Sequence, residues 1–264
     1  MKAALEGDMR ATLAGQGALE ALAGGASGTV LAWFPRAVYL RLAGTVIALV
    51  GPDVGPGPLH LGLDAPVPNA LPGTSVRRRA TALLVGDVAV DLRGRRVWRG
   101  AHPDPDRLRA ASRLIVEVAG ELGRRSALLR PPLSARADLA RGCIAVDDLV
   151  GAAELLGGLG PGLTPAGDDV LGGVLFMRRL LGGERVTPSL SAAAGIVATT
   201  EISRAFVSWA ARGQVLSAGH DLLVAAAGGD RSGAEAAARE LVRVGETSGA
   251  DFALGLVWAL QPPG

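Results

Sequence analysis

The residues with the greatest chemical potential in this 264-residue chain form the run Gly157-Gly-Leu-Gly-Pro-Gly-Leu-Thr-Pro-Ala-Gly-Asp-Asp169. Four of the six positions 157–162 are glycine, and an apolar helical pattern follows at once. A glycine-rich loop feeding a helix N-terminus turns several backbone N–H groups toward one point, and the helix dipole adds positive potential there. That arrangement suits a phosphate, a carboxylate or an oxyanion. Gly158, Gly160, Gly162, Leu163 and Thr164 are the cradle positions. Thr164-Pro165 predicts an N-cap followed by proline at the first helical position.

Asp168 and Asp169 fall in the first helical turn, where each complements the dipole by about 0.3–1 kcal/mol. Beside a bound anion the same charges repel it. A chemical role therefore requires them to hold a metal ion, accept hydrogen bonds from a substrate –NH2, or act as a base. Successive helical side chains diverge by about 100°, so one aspartate is expected to face the site and the other to orient the loop. Mg2+ through this pair is the one metal option, since His60, His102 and His220 are too far apart in sequence for zinc-ligand spacing. No other cofactor is expected.

Two further polar clusters interrupt apolar patterns. Thr199-Thr-Glu-Ile-Ser-Arg204 breaks a helical run over 190–212, where Thr199 with Ser203, or Thr200 with Ser203 and Arg204, share a face. Gly245-Glu-Thr-Ser-Gly-Ala-Asp251 precedes the last helical run, and Ser248 with Asp251 fits a capping box. None of the three clusters contains a histidine, which argues against a Ser-His-Asp hydrolase. His220 reads as a helix cap or surface residue, and Cys143 as a small core residue.

Taken in order, the motifs at 158–169, 199–206 and 245–251 resemble a bacterial family that includes the third subunit of oxamate carbamoyltransferase, from allantoin degradation. The resemblance spans roughly 145–260. It implies a complex that moves a carbamoyl group between phosphate and the amide nitrogen of oxamate, with partner subunits. In that setting the loop 158–164 would cradle the anion, and Thr200, Ser203, Arg204, Thr247, Ser248 and Asp251 would bind substrate. Asp168 or Asp169 would be the base. Family members often carry histidine in the third motif, where this chain has Glu246. Two other readings stand beside this one: a non-catalytic anion-binding or scaffolding subunit, and a stand-alone Mg2+-dependent phosphoryl-transfer enzyme.

These motifs must be held by elements whose periodicity changes near residue 104. Before it, short β-branched and apolar runs lie between turn signals, at 29–33, 37–42, 45–50, 59–63, 80–85 and 88–92. The last, followed by Arg93-Gly94 and residues 95–98, predicts a hairpin. After it, apolar residues recur at helical spacing over 107–125, 147–156, 168–181, 190–212, 218–227, 233–244 and 250–260. The fold class is α+β: a small antiparallel sheet or barrel over 1–103, then an all-helical domain over 104–264.

Composition narrows the function classes. The chain holds 38 glycines and 49% hydrophobic residues, which excludes global disorder. Its only lysine is Lys2, so no interior Schiff-base or phosphate-loop lysine exists. A net charge of +2 with only four Trp, four Phe and one Tyr gives neither the basic face nor the stacking rings of a nucleic-acid binder. One cysteine fits a reducing compartment. No stretch is long and apolar enough to span a membrane, and the acidic Glu6 and Asp8 do not suit a signal peptide. A cytoplasmic protein is expected, with a small anionic substrate, partner subunits and neither nucleic acid nor membrane.

Overall fold

In residues 37–42 the side chains of Val38, Leu40 and Leu42 are buried while those between them reach the surface. A strand turns alternate residues to opposite faces, so this pattern is a sheet wrapped around a core. The computed structural model describes residues 9–243 and 245–261 and divides into two compact units that meet between Gly100 and Ala101.

The first unit is a mixed β-barrel. Its strands are β1 (Met9–Gly15), β2 (Ser27–Phe34), β3 (Ala37–Leu42), β4 (Thr45–Val50), β5 (His60–Leu63), β6 (Ser75–Arg78), β7 (Ala82–Val85), β8 (Val88–Asp91) and β9 (Arg96–Trp98), with helix α1 (Gln16–Gly24) after β1. They run in the order β5-β4-β3-β2-β6-β7-β8-β1, and β1 closes the ring by pairing with β5. The β4–β5, β1–β8 and β1–β9 pairings are parallel, the rest antiparallel. Leu40, Ile47, Leu49, Leu61, Leu83 and Val90 fill the interior.

The expected hairpin over 88–98 does not form. β8 and β9 instead lie one after the other along the same edge of β1, β8 against Met9 and Arg10 and β9 against Leu13 to Gly15. Arg93 bonds back to the Asp91 carboxylate in the connection, and the chain moves on along β1 rather than reversing. Closing a barrel consumes both edges of every strand, and β1 supplies the edge that a hairpin would have left open.

The second unit is all-helical: α2 (Pro105–Ala110), α3 (Ser112–Gly123), α4 (Ser134–Ala145), α5 (Leu149–Leu156), α6 (Ala166–Gly182), α7 (Thr187–Ile196), α8 (Glu201–Ala211), α9 (Ser217–Ala227), α10 (Arg231–Leu241) and α11 (Ser248–Leu260). Thus the α+β division of the sequence holds, with a barrel followed by ten α-helices among the described residues. The single helical run expected over 190–212 is two helices. Residues 197–200 leave the helical path, and Thr200 restarts it as the N-cap of α8, accepting from the Ser203 amide at 3.1 Å.

Helix α6 is the axis of this unit, with 12 of its 17 residues buried. It crosses α11 backbone to backbone. A Cβ on Gly173 would lie 2.2 Å from the Phe252 carbonyl oxygen, and one on Gly255 would lie 2.1 Å from that of Val170. Only glycine permits this approach, and it sets the first turn of α6 beside the first turn of α11.

Candidate functional site

Asp168 is the hub of the first motif. It is 1% exposed, and each of its oxygens is engaged by the protein. Oδ1 accepts the Gly158 amide at 2.8 Å. Oδ2 accepts the Ser203 hydroxyl at 2.6 Å and the Thr199 hydroxyl as well. A buried carboxylate needs such donors to offset its desolvation. Through it the glycine-rich loop, the α7–α8 connection and α8 itself are tied to one atom group. A second tie reinforces the first: the Thr200 hydroxyl donates to the Leu163 carbonyl at 2.6 Å.

The loop takes a path open mainly to glycine. Gly158, Gly160 and Gly162 have φ of 68°, 115° and 93°, the left-handed side that L side chains avoid. A Cβ on Gly158 would also lie 2.6 Å from the Ala198 carbonyl oxygen. The Gly167 amide bonds the Leu159 carbonyl at 2.8 Å, folding the loop back on the start of α6. The expected cap is displaced by one residue. Pro165 occupies the N-cap position with no side-chain cap bond, because the Thr164 hydroxyl is directed instead to the Ser248 hydroxyl, 3.3 Å away.

The capping box expected between Ser248 and Asp251 is likewise absent. Thr247 precedes the first residue of α11, and its carbonyl accepts the amides of Ala250 and Asp251. The Asp251 side chain reaches another segment altogether, accepting the Ser126 hydroxyl at 2.5 Å and the Ala127 amide at 3.2 Å. Burial raises its carboxyl above the ordinary range, opposed by bonds from Ser126 and Thr247.

Asp169 differs from its neighbour. Its Oδ2 is shielded from solvent and has no hydrogen-bond partner among the described residues. Burial drives its carboxyl well above the ordinary range; the Ser248 hydroxyl bond opposes this, and the nearby Asp251 and Asp168 charges add to it. Asp168, Asp169, Ser203 and Ser248 together line one cavity of about 80 Å³. The remaining walls are nearly all apolar, including Phe206, Val215, Leu216 and Phe252. No basic side chain lines it among the described residues.

The sequence-predicted positions therefore do not all meet in one place, and Asp251, held by Ser126 and Ala127, is outside the cavity lining. Asp168, Asp169, Ser203 and Ser248 share the cavity, while Gly158, Gly160, Gly162, Leu163 and Thr164 form the adjoining loop and do not line it. Thr200 and Thr247 sit at helix starts. Arg204 is exposed, its guanidinium 3.4 Å from the Thr199 carbonyl. Glu246 is exposed as well. Among the described residues no group of three or more His, Cys, Asp or Glu side chains is arranged to hold a metal ion.

Sequence reasoning missed the aromatic wall. Phe206 closes the second motif and Phe252 directly follows the third, and in a chain with four phenylalanines that placement was the available signal. It also misplaced His220. The ring is buried in α9, where it accepts the Val215 amide on Nε2 at 3.2 Å and therefore donates from Nδ1 to the Ala101 carbonyl at 2.9 Å. It stands edge-on to Phe176 and stacks on His102. Burial lowers its pKa to about 4. A neutral imidazole fixes the Gln214–Leu216 wall of the cavity.

No helix among the described residues is long and apolar enough to cross a membrane. Comparisons with curated proteins and with solved structures returned no match. A comparison with family models did: the stretch that carries all three motifs, residues 156–260, matches the family described as oxamate carbamoyltransferase subunit AllH, the family that the motifs resemble.

Proposed function

We propose that this chain is a subunit of a carbamoyltransferase-type enzyme acting on carbamoyl phosphate and a small amide or acid such as oxamate. The observation that carries the reading is the Asp168 carboxylate, which binds the first motif through Gly158 and the second through Thr199 and Ser203. The Thr164–Ser248 contact brings in the third. Residues that match a transferase subunit in sequence thus converge on one place in the fold.

In this reading the loop from Gly160 to Thr164 and the start of α6 receive the phosphate, through backbone amides and the helix dipole. Thr200, Ser203, Arg204 and Ser248 anchor the second substrate. Asp169 takes the proton from the amide nitrogen as that nitrogen attacks the carbamoyl carbon, and the carbon–oxygen bond to phosphate breaks. Asp168 orients the loop. Protein partners of the subunit family would complete the complex. The test is phosphate release from carbamoyl phosphate with oxamate present, by the chain alone and with partner subunits, each with and without Mg2+. Release that needs oxamate and is lost in Asp169→Asn supports transfer. No release under any condition overturns a catalytic role.

A second reading is an anion-binding or scaffolding subunit without catalysis, and one observation favours its scaffolding form. The Gly158 amide is already spent on Asp168, and no basic side chain lines the cavity among the described residues. Partner binding without turnover is the signature of a scaffold, and phosphate-dependent stabilisation without turnover that of an anion-binding subunit.

A further inference from the structure

We propose that the cavity bounded by α6, α8, α9 and α11 is a site for a small organic cation, a primary alkylammonium, distinct from the anion cradle of the glycine-rich loop. The inference goes beyond the transferase reading but draws on Asp169 and Ser248, which that reading gives to the second substrate; ammonium binding and oxamate-dependent phosphate release are measured separately, so either can fail without the other.

Three features of the lining carry it. First, the ionisable groups are of one kind: Asp168 and Asp169 line the cavity and no basic side chain does among the described residues. An anion entering finds no counter-charge to offset its own desolvation. Second, Asp169 presents an oxygen that is shielded from water and unpartnered. Buried polar atoms are ordinarily bonded, and of the described residues that line the cavity Asp169 is the one with such an oxygen left over for a ligand. Asp168 is not free to serve, because Gly158, Thr199 and Ser203 engage it. Third, the rest of the wall is apolar with two aromatic rings, Phe206 and Phe252. An ammonium head donates to a carboxylate and a hydroxyl, is attracted to ring faces, and carries a hydrocarbon tail that such a wall shelters. At about 80 Å³ the cavity suits a ligand of a few heavy atoms.

Binding exchanges one cation for one proton. Asp169 faces Asp168 on its own helix and Asp251 on α11, and no charged side chain of α8 or α9 lines the cavity among the described residues. Burial and these two neighbouring carboxylates therefore favour the protonated carboxyl in the empty cavity. Entry of the ammonium leaves the carboxylate ionised and sends that proton to solvent.

Calorimetry with methylammonium and ethylammonium chloride tests the proposal, with acetamide, acetate and sulfate as comparison ligands. One ammonium per chain should bind, with up to one proton released. Apparent affinity should rise by up to about tenfold per pH unit while Asp169 is protonated. Asp169→Asn should weaken binding by at least about tenfold, and Phe252→Leu or Ser248→Ala by several-fold. If Asp169→Asn does not fold, the pH series on the unaltered chain decides. Acetamide binding more tightly than either ammonium and weakening as pH rises would overturn the proposal in favour of a neutral ligand. Acetate or sulfate displacing methylammonium, unchanged binding in Asp169→Asn, or no heat with any ammonium would overturn it too.

Discussion

The hydroxyl oxygens of Thr164 and Ser248 lie 3.3 Å apart although 84 residues separate them. The end of the glycine-rich loop and the start of α11 are thereby one polar locus. Replacing either residue with alanine leaves the other hydroxyl without this partner. A double-mutant cycle in urea is expected to give a coupling of about 0.5–1.5 kcal/mol. Strict additivity would show that the two hydroxyls do not share a bond in solution.

Asp168 and Asp169, adjacent in sequence, should respond differently to the same substitution. Asp168→Asn removes acceptor capacity from three donors in a buried network, and a loss of about 3 kcal/mol is expected. Asp169→Asn replaces a carboxyl that burial already disfavours as an anion, and at acid pH, where the carboxyl is protonated and close to the amide in shape, the change should be under about 1 kcal/mol. Equal losses in chemical denaturation would refute the division of roles.

The raised Asp169 carboxyl makes stability fall as pH rises. A group that holds its proton more tightly in the fold than in the unfolded chain contributes fully below the unfolded value, about 3.9. That contribution is lost as pH climbs through the raised folded value. Stability curves of the unaltered chain and Asp169→Asn should converge at acid pH and separate toward neutral pH, the unaltered chain falling faster. Asp251 has the same sign and its charge acts on Asp169, so the difference between the curves reports Asp169 together with that coupling.

The histidines act in the opposite direction. His60 in the barrel and His220 in the helical unit are each lowered by burial to about 4. Each contributes stability that is present above the ordinary 6.5 and lost as pH falls through 4. For His220 a proton on Nε2 would confront the Val215 amide that Nε2 now accepts. A loss of about 3 kcal/mol between pH 6.5 and 4 is expected from this residue. His220→Gln should flatten that part of the curve, as read by denaturation at successive pH values.

The α6–α11 crossing should tolerate no added carbon. Gly173→Ala and Gly255→Ala each place a methyl about 2 Å from a carbonyl oxygen, and losses of at least about 3 kcal/mol are expected. Gly142 in α4 is the control. It is exposed, with nothing within 4 Å of its would-be Cβ, so Gly142→Ala should stabilise by about 0.5–1 kcal/mol. Thermal melts of the three variants compare them directly.

The two-part fold was legible because its periods differ: alternating burial in β3 and helical spacing through α6 are written in the side chains themselves. Helix α4 was not, since it buries only Ala137, Ala140 and Ile144 and so shows almost no apolar stripe. β1 and β6 were also missed: the first has a mixed, Ala- and Gly-containing sequence, and the second carries Arg77 and Arg78. Their strand state comes from neighbours that pair with them, not from local preference. At the site, residue types pointed to Asp168, Asp169, Ser203 and Ser248. Which aspartate is tied and which is open depends on Gly158 and Thr199 arriving from other segments, and no local pattern encodes that. The caps at Thr164 and Ser248 misled for the same reason: a short-range bond was available to each, and a long-range one won.

Closure of the barrel by β1 bears on the order of folding. The strand that completes the ring is the earliest described in the chain, and its partners β5, β8 and β9 begin at His60, Val88 and Arg96. Until those segments are in place β1 has no edge to join, and the chain entropy of linking them must be met before any ladder bond rewards it. The helical unit, whose α9 and α10 follow one another and pack together, draws more on local contacts. Refolding from denaturant should thus give two kinetic phases, the slow one belonging to the ring and carrying the signal of Trp33 rather than that of Trp209 or Trp258.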